Sequence, residues 1–124
     1  MRVLVVEDSR FTRNMVKKEL TALIPDIEIE LASDGREGLE KFNESSFDVV
    51  LSDLLMPNMQ GEEMISKIRA SDKRVMVIVL SADVQTAIKE ELDQIGIDGF
   101  VNKPFNRDKA LEIATLIKGA SHVE

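Results

Sequence analysis

The 124-residue sequence contains no cysteine, tryptophan or tyrosine. Without cysteine the chain has no disulfide framework, thiol nucleophile or thiolate metal site. The missing aromatic residues argue against a base-stacking platform for nucleic acids. No apolar run approaches the ~20 residues of a membrane span. The N-terminus, Met1–Leu4, enters a strand-like run directly and has no signal-peptide layout, so we expect a cytoplasmic protein that does not bind membranes.

An excess of acidic residues sets the charge of the chain. The formal net charge is −7 and the isoelectric point is about 4.8. This charge repels a phosphate backbone, so we expect no direct nucleic-acid binding by this domain. Hydrophobic residues make up 44% and charged residues 31%, as in globular proteins. The length suits one domain. We place it at residues 1–119 and expect residues 120–124 to be a frayed tail.

Apolar runs alternate with helical patterns along the whole chain. Val3–Val6, Val49–Leu51 and Val75–Leu80 are continuous apolar runs, typical of strands buried on both faces. Ile27–Leu31 alternates apolar and acidic residues, which indicates a half-exposed strand near an edge, and Asp98–Val101 is a short fifth strand. Amphipathic helical segments follow these strands. The pattern predicts an α/β fold with five parallel strands, five helices and helices on both faces of the sheet.

Polar side chains stand where four of the predicted strands end. They are Glu7 and Asp8 after the first strand, Asp53 after the third, Ser81 after the fourth and Lys103 after the fifth. Ligands bind beyond the carboxyl ends of such strands, so these residues can share one crevice. Three carboxylates together require a cation, and an oxygen-only ligand set favours Mg²⁺. A lysine and a hydroxyl opposite them would hold the oxygens of a phosphoryl group.

Each of these residues also has a simpler interpretation when taken alone. Asp53 fits a helix cap or a solvated loop acid, and Glu7 and Asp8 fit the cap of the next helix. Ser81 fits an ordinary cap, and Lys103 fits a solvated surface lysine. Only their joint occurrence at neighbouring strand ends favours a shared site.

Four motifs at these positions resemble the receiver domain of bacterial two-component response regulators, including the single-domain chemotaxis regulators. They are Val5–Ser9, Asp53–Pro57 with Gly61, Ser81-Ala82 and Lys103–Phe105. They match in identity, order and spacing across almost the whole chain. The resemblance implies a doubly wound, flavodoxin-like α/β fold with strand order 2-1-3-4-5, and residues 1–119 would then be the receiver domain.

The resemblance also implies a phosphoacceptor and a metal site. Asp53 would accept a phosphoryl group from a sensor histidine kinase. Asp8, Asp53 and the backbone carbonyl of Leu55 would bind Mg²⁺, and Glu7 would reach the metal through water.

The remaining implied roles concern phosphoryl binding and switching. Lys103 would pair with a phosphoryl oxygen, and the hydroxyl of Ser81 would bind the phosphoryl group once Asp53 is modified. Phe100 would be the aromatic switch that turns inward when Ser81 moves. The face formed by the fourth helix, fifth strand and fifth helix would then control a downstream protein target or a fused effector domain. Members of the family also tend to have a cis peptide before the residue that matches Pro104.

Several positions depart from the family's common pattern. Ser81 stands where threonine is common, and Phe100 stands where tyrosine is common, so a phenol contact is missing. Leu55 and Asp83 lie two residues after Asp53 and Ser81, respectively. We expect these two side chains to influence how easily water reaches the phosphoryl group, with no direction predicted.

Two other functions fit a strand-end aspartate. An aspartyl-nucleophile phosphohydrolase typically needs a second acid two residues after the nucleophile, where this chain has Leu55. A flavin-binding electron-transfer protein needs a Ser/Thr/Gly-rich loop after the first strand, and Glu7–Arg10 is instead an acidic segment. We therefore expect a regulatory phosphoacceptor rather than an enzyme, with the phosphohydrolase as the alternative.

Overall fold

One parallel sheet of five strands organises the part of the chain that the computed structural model describes, residues 1–82 and 86–122. Its strand order is β2-β1-β3-β4-β5, as predicted. The strands are β1 (Arg2–Val6), β2 (Glu28–Ala32), β3 (Val49–Ser52), β4 (Met76–Ser81) and β5 (Gly99–Asn102). The helices are α1 (Arg10–Leu23), α2 (Gly35–Glu44), α3 (Gly61–Ser71), α4 (Thr86–Ile95) and α5 (Arg107–His122).

Two apolar cores lie on opposite faces of the sheet. Alternate strand residues face each core, since successive side chains of a strand point to opposite faces. Val3 and Val5 pack with α1 and α5, whereas Leu4 and Val6 pack with α2, α3 and α4. The helix residues that pack against these cores recur at the three- to four-residue spacing of amphipathic helices. The fully buried helical positions include Val16, Leu20, Met64, Ile65, Ile68, Leu92, Ala110 and Ile113.

Side-chain caps and a glycine fix several helix ends. The hydroxyl of Ser9 accepts a hydrogen bond from the Thr12 N–H at 3.3 Å and caps α1. Asp34 caps α2 by accepting from the Glu37 N–H at 2.8 Å. Gly96 directly follows α4 with a φ of 100°, the left-handed conformation that glycine adopts without strain.

The end of the chain differs from the sequence prediction. Helix α5 continues to His122, so residues 120–122 are helical and do not belong to a frayed tail. Asp83 lies outside the described residues.

None of the helices in residues 1–82 and 86–122 combines the length and the apolarity needed to cross a membrane.

Candidate functional site

Backbone hydrogen bonds just beyond the strands hold the predicted site residues at one edge of the sheet. The N–H of Asp53 donates to the carbonyl oxygen of Val6 at 3.0 Å, and the N–H of Lys103 donates to the carbonyl oxygen of Ser81 at 2.9 Å. The parallel ladder therefore extends one residue past β3 and β5. This extension places the side chains of Asp53 and Lys103 in a common crevice, as the topology predicts.

Three carboxylates form an acidic cluster in this crevice. One oxygen from each of Glu7, Asp8 and Asp53 lies within 4.8 Å of the others. Glu7 and Asp53 are only 2% and 6% exposed, whereas Asp8 is open to solvent. Oδ1 of Asp53 also accepts a hydrogen bond from the Leu54 N–H at 2.7 Å, which fixes the carboxylate plane. The cluster thus combines two buried carboxylates with one that is exposed to solvent.

Lys103 places a positive charge between the two buried acids. Its Nζ lies 2.5 Å from Oε1 of Glu7 and 2.8 Å from Oδ2 of Asp53. Burial lowers the pKa of Lys103, but the hydrogen bonds to Asp53 and Glu7 outweigh it and raise the pKa above its ordinary value. The ammonium group therefore stays charged at neutral pH.

Glu7 is held at each of its polar groups. Its N–H donates to the carbonyl oxygen of Ala32 at 3.0 Å, and its own carbonyl accepts from Nη1 of Arg13 at 2.8 Å. Oε2 accepts from the Ser9 N–H at 2.9 Å, and Oε1 faces Lys103. Burial raises the pKa of Glu7, and the hydrogen bonds from Lys103 and Ser9 oppose only part of that rise.

The donor set of the cluster fits a hard divalent cation. It consists of carboxylate oxygens alone, which Mg²⁺ and Ca²⁺ prefer. A single ammonium does not balance three carboxylates, so an excess of negative charge remains. Oε1 of Glu7 is buried and, apart from its ion pair with Lys103, has no hydrogen-bond partner. A buried oxygen with free lone pairs can accept a cation or a metal-bound water.

Gly61 holds the next helix against the phosphoacceptor candidate. Its N–H donates to the carbonyl oxygen of Leu54 at 2.8 Å. A Cβ atom at this position would collide with the carbonyl oxygen of Asp53. The glycine at this position of the sequence motif is therefore explained by sterics, because α3 begins directly beside the backbone of Asp53.

The loop between β3 and α3 has a second anchor, which the sequence analysis missed. Nδ2 of Asn58 donates to Oδ2 of Asp34 at 2.7 Å, and Asn58 has a positive φ of 69°. A Cβ at Gly35 would collide with the carbonyl oxygen of Met59. The sequence contained two signals for this contact. Asn tolerates a positive φ, and a glycine follows the cap residue Asp34.

Ser81 and Phe100 lie on one face of the sheet. In the β4–β5 ladder Ser81 pairs with Asn102 and Val79 pairs with Phe100, so Phe100 is the diagonal neighbour of Ser81. Ser81 is 4% exposed, and Phe100 is half-buried against the core under α3 and α4.

The peptide bond between Lys103 and Pro104 is cis. The structure therefore confirms the cis peptide before Pro104 that the family resemblance implied.

Two large apolar residues close to the site residues in sequence are exposed. Leu55 and Phe11 have 70% and 74% of their surface accessible, respectively. Because position 55 is a leucine, it does not supply the second acid of a phosphohydrolase. The assignment of its backbone carbonyl as a metal ligand stays a prediction.

Comparison with known proteins agrees with this architecture. The family model of the response regulator receiver domain matches residues 3–115, and the chain belongs to this family. Chemotaxis protein CheY of Thermotoga maritima is 37% identical over 111 residues, which are 90% of this chain and 92% of that protein.

Two solved structures show the same fold. Chemotaxis response regulator CheY4 of Vibrio cholerae superposes with a TM-score of 0.84 at 34% identity, covering 94% of this chain and 97% of that one. Response regulator protein TrrA of Thermotoga maritima, solved in complex with Mg²⁺–BeF, gives a TM-score of 0.79 at 33% identity, with 94% and 97% covered. The chain is thus a CheY-like receiver domain of two-component systems, as the sequence motifs indicated.

Proposed function

We propose that this receiver domain is switched by phosphorylation of Asp53, with a sensor histidine kinase as the phosphoryl donor. The observation that carries the proposal is the position of Asp53. Its buried carboxylate lies 2.8 Å from the ammonium of Lys103, and one of its oxygens lies within 4.8 Å of a carboxylate oxygen of Glu7 and of Asp8. A nucleophilic carboxylate beside an ammonium and a cation-binding cluster suits the transfer of a highly charged group.

The transfer itself forms an acyl phosphate. An oxygen of Asp53 attacks the phosphorus of phosphohistidine in line, the P–N bond breaks, and the imidazole leaves and takes up a proton. Lys103 is near enough to follow the developing charge onto the phosphoryl oxygens, because its Nζ already contacts Asp53. The hydroxyl of Ser81 binds the phosphoryl group after transfer.

The acidic cluster would hold Mg²⁺. Asp8, Asp53 and the backbone carbonyl of Leu55 are the proposed ligands, and Glu7 reaches the ion through water. When bound, the ion offsets negative charge on the transferring group. The all-oxygen cluster supports this assignment, and the Mg²⁺–BeF complex of the related TrrA protein is consistent with it.

The proposed output is a change in the face formed by α4, β5 and α5. When Ser81 moves toward the phosphoryl group it leaves space on its face of the sheet, and its diagonal neighbour Phe100 turns inward. Full burial of a phenylalanine side chain gains about 1.5–3 kcal/mol. Phe100 is already half-buried, so its inward turn gains only part of that energy, which corresponds to a severalfold shift of a two-state equilibrium. A downstream protein target, or an effector domain fused to this one, reads that face.

The other expected properties stay predictions. They are a regulatory rather than enzymatic role, a cytoplasmic location, and no direct binding of nucleic acids or membranes. The exposed, apolar Leu55 continues to disfavour the alternative, an aspartyl-nucleophile phosphohydrolase, because that position lacks a general acid.

Intact-mass spectrometry tests the proposed function. Incubation with acetyl phosphate and Mg²⁺ should add one phosphoryl group to the protein, and excess EDTA should prevent it. Asp53→Asn should abolish the adduct. Asp93→Asn, the same change at an exposed position of α4, should leave it intact. Full phosphorylation of the Asp53→Asn variant would show that another residue is the acceptor.

A further inference from the structure

A lysine of α4 lies over the ring of the proposed switch residue. Nζ of Lys89 is 5.2 Å from the centroid of the Phe100 ring. A cation within about 6 Å of an aromatic centroid is attracted by the negative face of the ring. Lys89 is exposed and Phe100 is half-buried, so the contact lies at the surface where α4 meets β5. Phenylalanine has no polar atom, and its ring face is the feature that a charged neighbour can bind.

The far end of α4 is anchored by a different group. Nε of Arg69 donates to the carbonyl oxygen of Gly96 at 2.7 Å, and Nη2 binds Oδ2 of Asp98 at 2.9 Å. Oδ2 of Asp98 also accepts from the Val77 N–H at 2.8 Å. Arg69 thereby ties the C-terminal end of α4 to α3 and to the start of β4. The Arg69 side chain is only 13% exposed, whereas that of Asp98 is 44% exposed.

The Lys89 contact lies in the half of α4 that begins near Ser81. Thr86 starts the helix five residues after Ser81, and Lys89 is in its first turn. The Arg69 anchor restrains the other half of α4. Phe100 is the diagonal neighbour of Ser81. One partner of the cation–π contact, Phe100, thus neighbours the residue that is proposed to move, and Lys89 contacts Phe100 from the first turn of α4.

We propose that Lys89 is a positioning residue, which holds the Phe100 ring in its half-exposed orientation and so favours the unmodified conformation. The inference rests on the proposed phosphorylation switch and adds a specific restraint to it. When the ring turns inward, the ammonium loses the ring face and gains only solvent. A surface cation–π contact corresponds to about a two- to fivefold change in the equilibrium between the two conformations.

The contact can be observed directly by NMR spectroscopy of the lysine side chains. In the unmodified protein the ε-methylene protons of Lys89 should be shifted upfield by the ring current of Phe100, relative to those of Lys18. Lys18 is an exposed lysine of α1 on the opposite side of the sheet. Phe100→Leu should remove the shift, and saturation with Mg²⁺ and beryllofluoride, a phosphoryl mimic, should reduce it.

Titration with beryllofluoride in the presence of Mg²⁺ measures the energetic consequence. Lys89→Met should lower the half-saturating concentration by about two- to fivefold, since the unmodified state loses the contact. Lys89→Arg should bind as the original protein does, because a guanidinium also stacks on aromatic rings. Lys18→Met, which removes the same charge elsewhere, should have no such effect. In a Phe100→Leu background, Lys89→Met should add nothing.

The outcomes separate this inference from the proposed function. If beryllofluoride leaves the resonances of Asp53 and Ser81 unchanged, the phosphorylation switch itself is wrong. If those resonances respond but Lys89→Met and Lys18→Met titrate alike, the switch stands and the role of Lys89 is wrong. An unchanged ring-current shift at Lys89 in the saturated complex would overturn the inference as well.

Discussion

The ammonium of Lys103 forms an ion pair with the carboxylate of Asp53 at 2.8 Å, across the crevice where β3 and β5 end. The same ammonium contacts Glu7, so it already acts as an internal cation for two buried acids. Lys103 therefore offsets the charge of two buried carboxylates. In the proposed mechanism it also binds the phosphoryl oxygens.

Removal of the Lys103 charge should lower both stability and reactivity. In Lys103→Met the buried carboxylates of Glu7 and Asp53 lose their counter-charge, and we expect a loss of about 1–3 kcal/mol in the free energy of unfolding. Urea denaturation at neutral pH measures it. Lys109→Met removes a lysine whose ion pair with Glu112 is 4.0 Å long and lies at the surface. That control should cost no more than about 1 kcal/mol. Equal losses in the two variants would contradict the buried-pair interpretation.

Asp8 should be needed for the cation but not for the fold. Asp8→Asn removes a proposed ligand from the exposed rim of the cluster, so Mg²⁺ affinity and the rate of phosphorylation by acetyl phosphate should both fall. Isothermal titration or NMR titration with Mg²⁺ measures the affinity independently of phosphorylation. Because the substitution also relieves repulsion among three carboxylates, the stability of the metal-free protein should rise or stay the same. A marked drop in stability would indicate a structural role for Asp8 instead.

Gly61→Ala should disturb the site through the backbone. The added methyl group would meet the carbonyl oxygen of Asp53, and the start of α3 would have to shift. We expect lower stability and slower phosphorylation, measured by thermal denaturation and intact mass. Gly119 provides the matched control, because a Cβ there has no atom within 4 Å. Gly119→Ala in α5 should stabilise the protein by up to about 1 kcal/mol.

The cap residue Asp34 should make a pH-dependent contribution to stability. The hydrogen bond from the Glu37 N–H, and a second from the Asn58 amide, lower the pKa of Asp34 in the folded state. A lowered folded-state pKa contributes stability that is present above the unfolded-state pKa and is lost as pH falls through the folded-state value. At pH 7 Asp34→Ala should cost about 1 kcal/mol.

Denaturant unfolding of the original protein and of Asp34→Ala, from pH 7 down to about pH 2.5, would measure this dependence. The difference between their free energies of unfolding should shrink below about pH 4. Asp34→Asn retains a capping side chain without a titrating group and serves as the control. The free energy of unfolding of Asp34→Asn should approach that of the original protein over the same pH range. A constant difference for Asp34→Ala would rule out a role for the carboxylate charge.

Local signals in the sequence were sufficient to predict the strands, the helices and the α/β class, whereas the strand order was implied by the family resemblance. Continuous apolar runs such as Val3–Val6 and helical periodicity such as Val16 and Leu20 reflect burial that recurs along the chain. The crevice could be predicted because parallel strands end at one edge, which gathers Glu7, Asp53 and Lys103 without any knowledge of loops.

Contacts between distant loops could not be read in the same way. The Asn58–Asp34 hydrogen bond spans 24 residues, and the Arg69–Asp98 pair spans 29. Which of many polar residues meet at such distances depends on the relative placement of whole elements. The helical conformation of residues 120–122 was not predicted, and α5 continues through Gly119 without a break.

The most direct test of the account is to locate the phosphoryl group on the chain. After reaction with acetyl phosphate and Mg²⁺, borohydride reduction converts an acyl phosphate to an alcohol, so a modified aspartate becomes homoserine. Tandem mass spectrometry of the digested protein should then find homoserine at position 53. Homoserine at Asp8, or a stable phosphoryl group on a hydroxyl such as that of Ser81, would contradict the central claim that Asp53 is the phosphoacceptor.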